Sequence, residues 1–294
     1  MKHKLLRFWK PLLAVILWGM SFIATKIALK ELNPESIILL RLLLAIILLL
    51  SVALYTKRDF SIVLKNHLAI FILAFIAVFH LWIQITGLKF TSATNTGWII
   101  GVTPVIMAIL GYIIFKEKIT SINVFGIVIA FTGIMLLMSK GFIFNIGFIS
   151  NKGDFLVLAS AFTWSIYSIL NKKISIGYSP FMTILFLFIM MTILIIPFTL
   201  NNGTINSVMH LSLRGWIAIF FLGILCSGIA YVLWAQALKE LEATKVGVFL
   251  YFEPFVTVFT AWFLLGEVIT IITIFSGIII TSGVILVNKK NSNY

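Results

Sequence analysis

Ten apolar stretches, each near the ~20 residues a helix needs to cross a bilayer, follow one another along the chain. They lie at about 11–30, 35–56, 67–88, 93–115, 121–139, 153–171, 180–200, 215–238, 244–265 and 270–288. The connections between them are too short for a soluble domain. In hydrocarbon a helix is the open-chain element that satisfies its own backbone hydrogen bonds. Strands are excluded, because the runs are solidly apolar rather than alternating. Composition agrees: 61% of residues are hydrophobic and 11% charged, against about 25% charged in soluble domains. The expected fold class is all-α integral membrane, with ten transmembrane helices.

The net charge of +13 is not a nucleic-acid signature, since the basic residues flank apolar runs singly or in pairs without an aromatic-basic stripe. They read as topology determinants. With the N-terminus inside, cytoplasmic segments hold 15 Lys and Arg, including Lys10, Lys57, Arg58, Lys116, Lys172, Lys239 and Lys245, and the opposite side holds the other 7. Both termini are therefore expected in the cytoplasm. The basic start from Lys2 to Lys10 looks like a signal peptide, but the run to Ala28 is long enough to span and no Ala-x-Ala site follows. The single cysteine, Cys226, excludes an intramolecular disulfide and a Cys-based metal cluster and reads as a packing residue.

The chain also repeats itself. Ala93–Thr120 and Ala243–Thr270 match at a shift of 150 residues: Ala93/Ala243, Thr94/Thr244, Pro104/Pro254, Glu117/Glu267 and Thr120/Thr270. Gly126/Ser276 and Gly133/Gly283 keep that register, while Trp18/Trp164, Lys26/Lys172 and Pro34/Pro180 match at 146. The difference needs a net four-residue insertion, for which Asn201–Arg214 is the natural place. The expected units are residues 1–140 and 153–290. Five spans is an odd number, so the two units run in opposite directions: an inverted repeat, the plan of many carriers, with substrate at the midplane between repeats.

Candidate site residues follow from depth. Of nine acidic residues only Glu253 is central, roughly 15 Å along its helix from Ala243, about half of a ~30 Å hydrocarbon core. A charge there is costly unless paired, solvated or protonated. Pro254 withdraws the amide that would bond the Leu250 carbonyl. Glu253 reads as a substrate-amine or proton site, or else as a neutral acid bonded to a neighbouring helix. His80 is the central histidine, a partner for Glu253 or a neutral imidazole donating to a carbonyl. Trp18, Ser21 and Thr25 share a helical face, as do Trp164, Tyr167 and Asn171. Each stripe suits either a cavity or a helix contact. Gln84, Asn95, Thr103 and Gln236 supply further polar groups, and Trp98, Tyr231 and Tyr251 aromatic walls. Pro104 and Pro254 are candidate hinges. Arg41 reads as a headgroup anchor in preference to an anion contact, and Lys172 as a side chain that snorkels to water. No Walker A loop, no H-E-x-x-H and no credible catalytic triad occurs. No cofactor, metal or catalytic residue is expected.

These residues resemble the EamA-type transporters of the drug/metabolite transporter superfamily. The resemblance rests on Trp18, Gly19, Ser21, Phe22, Lys26, Pro34, Arg41, Leu88 to Ala93, Pro104, Glu117, Gly126 and Gly133. In the second half it rests on Trp164, Lys172, Pro180, Ala237, Leu238, Ala243, Glu253, Pro254, Gly266, Glu267 and Gly283. Ser165 departs from it, where the family pattern suggests Gly. The resemblance covers nearly the whole chain. It implies ten helices in two inverted five-helix repeats around a central cavity, in bacterial inner-membrane carriers that often export amino acids and other metabolites. The expected partners are a small-molecule substrate, the lipid bilayer and protons, with the chain a monomer or homodimer and no nucleic acid involved. The expected function is amino-acid or metabolite export by alternating access. The alternatives are uptake or exchange of a metabolite such as a nucleoside derivative, a membrane-embedded lipid-modifying enzyme, and a non-transporting assembly factor.

Overall fold

Proline and serine mark where several of the helices begin. The structure, a computed structural model, describes residues 8–60, 67–138, 151–175, 179–199, 202–265 and 271–288. Gly266, Glu267 and Thr270 of the repeat, and Lys2, Lys4, Arg7, Lys65, Lys140, Lys289 and Lys290 of the charge count, lie outside the described residues. Helix α1 (Trp9–Ala28) leads to α2 (Pro34–Tyr55), which has its proline in the first turn, where an amide would be unpaired anyway. After α3 (His67–Phe90), Ser92 caps α4 (Ala93–Ile100) by accepting from the Asn95 amide at 2.9 Å. Helix α5 (Thr103–Phe115) follows after a two-residue turn, then α6 (Ser121–Met138). Helices α7 (Lys152–Ser175) and α8 (Pro180–Ile195) begin the second part. The short α9 (Asn202–Met209) occupies the segment to which the sequence assigned its insertion.

The last third is less regular. Ser212 caps α10 (Leu213–Phe220), which widens into a π-helical stretch, Phe221–Ile229, before α11 (Ala230–Glu240). Helix α12 (Ala243–Gly247) tightens into a 3-10 stretch, Val248–Tyr251, before α13 (Phe252–Leu265); α14 (Ile271–Asn288) ends the described chain. No strand occurs among the described residues.

Eight of these paths are long and apolar enough to cross a membrane, while α6 and α14 contribute shorter apolar stretches, Ser121–Gly133 and Ile274–Val287. The ten expected spans thus divide into eight full-length candidates and two shorter ones. The 18 described residues of α6 or α14 rise about 27 Å, just under the ~30 Å core. Large apolar side chains such as Phe75, Ile113, Phe263 and Ile278 point outward, as a lipid-facing surface requires.

Helices α6 and α14 pack closely through glycine. A Cβ on Gly283 would lie 2.5 Å from the Gly126 carbonyl oxygen and 2.6 Å from the Ala130 nitrogen. Small residues let two backbones approach to that distance, which is how helices associate in lipid. Helix α1 meets α13 in the same way: a Cβ on Gly19 would strike the Val256 side chain at 2.7 Å, and Thr257 Oγ1 donates to the Gly19 carbonyl at 2.9 Å.

The two spans with a proline near their middle, Pro104 and Pro254, are broken just before it. Around Pro104 the ladder tightens to Gly101 N–Trp98 O (2.9 Å) and Val102 N–Ile99 O (3.3 Å). Before Pro254 it runs as the 3-10 stretch. Proline removes a donor and clashes with the preceding turn, so the backbone yields on its N-terminal side.

Candidate functional site

The broken spans meet α1, α2, α3, α7 and α11 around a central cavity that admits water over about 40 Å³, room for a few molecules. Eight residues singled out from sequence line it: Trp18, Ser21, His80, Gln84, Thr103, Trp164, Tyr231 and Glu253. Trp18 is the hub. Its ring lies edge-on to Trp164 at 4.9 Å, Trp234 at 5.2 Å and Tyr231 at 5.6 Å, the geometry aromatic quadrupoles prefer. Its indole Nε1 donates to the Cys226 carbonyl at 3.0 Å. That carbonyl belongs to the π-helical stretch, where the ordinary i to i+4 pairing is interrupted and a carbonyl can turn aside. Cys226 is fully buried, as expected of a packing residue.

Glu253 is 4% exposed and lines the cavity at the start of α13. Its main-chain carbonyl accepts from Thr257 Oγ1 at 2.8 Å, but its carboxyl group has no hydrogen-bond partner among the described residues. His80 lines the same cavity, yet its Nδ1 faces the Ser160 carbonyl at 3.0 Å. A carbonyl only accepts, so Nδ1 carries the hydrogen. The contact is the carbonyl one, not a pairing of Nδ1 with Glu253. Thr103 Oγ1 is fully buried at the wall without a hydrogen-bond partner among the described residues.

The remaining six expected residues lie off this wall. Thr25, a turn beyond Ser21, is buried. Asn95 donates to Asp154 Oδ1 at 2.6 Å and to Thr91 Oγ1 at 3.0 Å near the end of the helix stack. Trp98 is buried in the packing of α4. Tyr167 stacks behind Trp164 at 5.0 Å, its hydroxyl accepting from Asn171 at 3.0 Å. Gln236 is half-buried on α11. Tyr251 is fully buried, its hydroxyl without a hydrogen-bond partner among the described residues.

Two basic residues require correction. Arg41 is not at a headgroup: it is 4% exposed, lines the cavity and donates from Nε to Ser227 Oγ at 2.8 Å. Lys172 does not snorkel to water. It is buried, donates to the Leu241 carbonyl and lies 3.4 Å from Glu117 Oε1. The sequence named both residues and misjudged their surroundings, because their partners are more than 50 residues away. Among the described residues no group of three metal-ligating side chains assembles.

A polytopic helical bundle with a small, aromatic, charge-bearing cavity at the broken helices is the architecture of a membrane transporter. The EamA-like transporter family matches residues 9–139 and again 151–289. An uncharacterized transporter of Archaeoglobus fulgidus is 33% identical over 95% of this chain and 96% of its own length. A probable amino-acid metabolite efflux pump of Salmonella typhimurium is 25% identical over 92% of this chain and 91% of its own length. A solved crystal structure superposes with a TM-score of 0.75 over 95% of both chains at 16% identity, a likeness of fold alone. The chain belongs to the EamA-like transporter family. It is a multi-pass membrane transporter of a small-molecule substrate and not an enzyme.

Proposed function

We propose that this transporter is a secondary carrier of the inner (plasma) membrane, exporting an amino acid or similar small metabolite by alternating access. The observation that carries the reading is Glu253: a carboxyl group 4% exposed, facing a water-sized cavity beside unwound backbone, with no hydrogen-bond partner among the described residues. A group so costly to bury is retained for what it binds. Relatives named as probable amino-acid metabolite efflux pumps favour the same cargo. The doubled family match and the paired breaks before Pro104 and Pro254 support two inverted five-helix units, residues 1–140 and 153–290, hinged at those prolines. The Lys and Arg asymmetry supports cytoplasmic termini. Glu253 exchanges a proton for substrate.

The test uses purified protein in sealed proteoliposomes loaded with labelled L-phenylalanine, with an imposed pH gradient. Efflux should follow the gradient, and Glu253→Gln should abolish that dependence. If Glu253→Gln moves substrate at the wild-type rate between about pH 5 and 8, the proton role is wrong. Faster uptake into preloaded vesicles would identify an exchanger instead.

A further inference from the structure

We propose that Arg41 anchors a carboxylate of the transported molecule, so that Arg41 and Glu253 together select zwitterions bearing both a carboxylate and an amine. This rests on the carrier reading of the same cavity and names its substrate class.

Arg41 sits on α2 with 4% of its surface exposed. A guanidinium among apolar helices is expensive and is normally paired. Among the described residues a single nitrogen is engaged, Nε to the neutral Ser227 hydroxyl at 2.8 Å. No carboxylate approaches within ion-pair distance of Arg41 among the described residues. Anchoring Nε from the side fixes the guanidinium plane and leaves the two terminal nitrogens available. Their fork matches a carboxylate in bidentate fashion.

The anchor is built into the backbone. Ser227 lies in the π-helical stretch, and Gly223 in that stretch brings it against α2: a Cβ there would meet the Leu44 Cβ at 2.6 Å and the Arg41 carbonyl at 3.2 Å. The same cavity holds Glu253, which does not pair with Arg41. Opposite charges kept apart in one low-dielectric space are the complement of a zwitterion. The unpartnered Thr103 hydroxyl adds a neutral contact, and Trp18, Trp164 and Tyr231 offer rings to an apolar side chain. A phosphate would also suit Arg41, but its second negative charge would be repelled by an ionised Glu253 in so small a volume.

The experiment measures thermal stabilisation of the detergent-purified protein by matched probes. These are L-phenylalanine, phenethylamine and 3-phenylpropionate, and L-leucine with isoamylamine. In the wild type each amino acid should bind at least tenfold more tightly than its decarboxylated amine. Arg41→Gln should weaken the amino acid about 10- to 100-fold, the loss of one charge-assisted contact, and leave the amine unchanged. Arg41→Lys should fall between. Should Arg41→Gln not fold, Ser227→Ala decides, since it keeps the charge but frees Nε and should weaken the amino acid several-fold and not the amine. Amines that bind the wild type as tightly as their amino acids overturn the proposal. So does unchanged discrimination in these variants, or no stabilisation by any amino-acid probe. Binding is read without a sealed compartment. Selective binding with no flux in liposomes would therefore sink the carrier reading and spare the carboxylate site.

Discussion

Removing the Glu117 side chain should loosen one end of the molecule, because this carboxylate caps a helix far away in sequence. Helix α12 starts at Ala243 with Glu242 in the capping position, yet Glu242 makes no side-chain cap. The cap comes from 126 residues away. Glu117 Oε1 accepts from the Ala243 amide at 2.6 Å, and Oε2 from the Thr244 amide at 3.0 Å and the Thr244 hydroxyl at 2.9 Å. Lys172 Nζ lies 3.4 Å from Oε1. The side chains of Glu117 and Lys172 are 6% and 11% exposed, so water screens the pair little. Lys116, in the left-handed region at φ 53°, ends α5 and turns Glu117 back toward Gly111, where its amide bonds the Gly111 carbonyl at 3.3 Å.

Three charge-assisted bonds at ~1.5–3 kcal/mol each cannot simply be added, because water enters once the carboxylate is gone. Breaking one member of a buried ion pair costs about 3–5 kcal/mol, and that is the expected loss for Glu117→Ala. Thr244→Val removes one hydroxyl donor and should cost about 1 kcal/mol. Gly111→Ala keeps every charge but puts a Cβ 2.7 Å from Glu117 Oε2, so it should reproduce part of the loss. Denaturant unfolding in detergent micelles measures all three, and a double-mutant cycle of Glu117→Ala with Lys172→Met should return a coupling of about 1–3 kcal/mol. A Glu117→Ala loss no larger than that of Thr244→Val, or a coupling near zero, would refute the reasoning.

Two further predictions concern other contacts. Gly283→Ala forces its Cβ into backbone atoms of α6 at 2.5–2.6 Å and should destabilise the α6–α14 pair by about 1–3 kcal/mol, read as a lower melting temperature in the same micelles. Glu31, in the connection after α1, accepts from the Ser212 amide at 2.8 Å and the Ser212 hydroxyl at 2.7 Å; the backbone bond first and the hydroxyl second hold its carboxyl below the ordinary value. A depressed acid stabilises the fold above its unfolded pKa and loses that contribution as pH falls through the folded one. Glu31→Gln should thus melt below wild type at pH 7, with the gap closing in acid beyond the usual carboxylate range; a gap constant with pH would contradict this.

Eight of the ten expected spans, the proline breaks and the place of Glu253 at the cavity were legible because each depends on neighbours in sequence. Apolar length reports a crossing, a proline reports a missing amide, and depth along one helix reports the cost of a charge. The helical stripes were legible for about one turn. Trp18 and Ser21 reach the cavity while Thr25 does not, and Trp164 does while Tyr167 and Asn171 bond each other behind it. A small cavity occupies less of a helix than a helix contact does, and periodicity alone does not report where the open space ends. Arg41 and Lys172 were misread for a different reason. A basic residue near the end of an apolar run has the same local sequence whether it reaches for a headgroup or for a buried partner. Their partners, Ser227 and the Glu117–Leu241 pair, come from other helices. The π-helical stretch that carries Ser227 left only a faint trace, the small residues Gly223, Ser227 and Gly228.

Polar contacts to helix starts lie at both ends of the cavity-forming spans. At one end Glu117 holds the start of α12; at the other Asn95, in the first turn of α4, donates to Asp154 in the first turn of α7. Between them the cavity admits only a few waters. A zwitterionic amino acid has no room unless the walls part, so on the carrier reading one set of contacts breaks while the other persists. The short segments that would tilt on that reading, α4 and α12, are those whose first-turn groups these carboxylates hold, and each is followed by irregular backbone before its proline. On that reading the energy of a capped helix start is coupled to the width of the cavity, and a side chain as remote from the aromatic wall as Glu117 should alter access to the proposed contacts at Arg41 and Glu253.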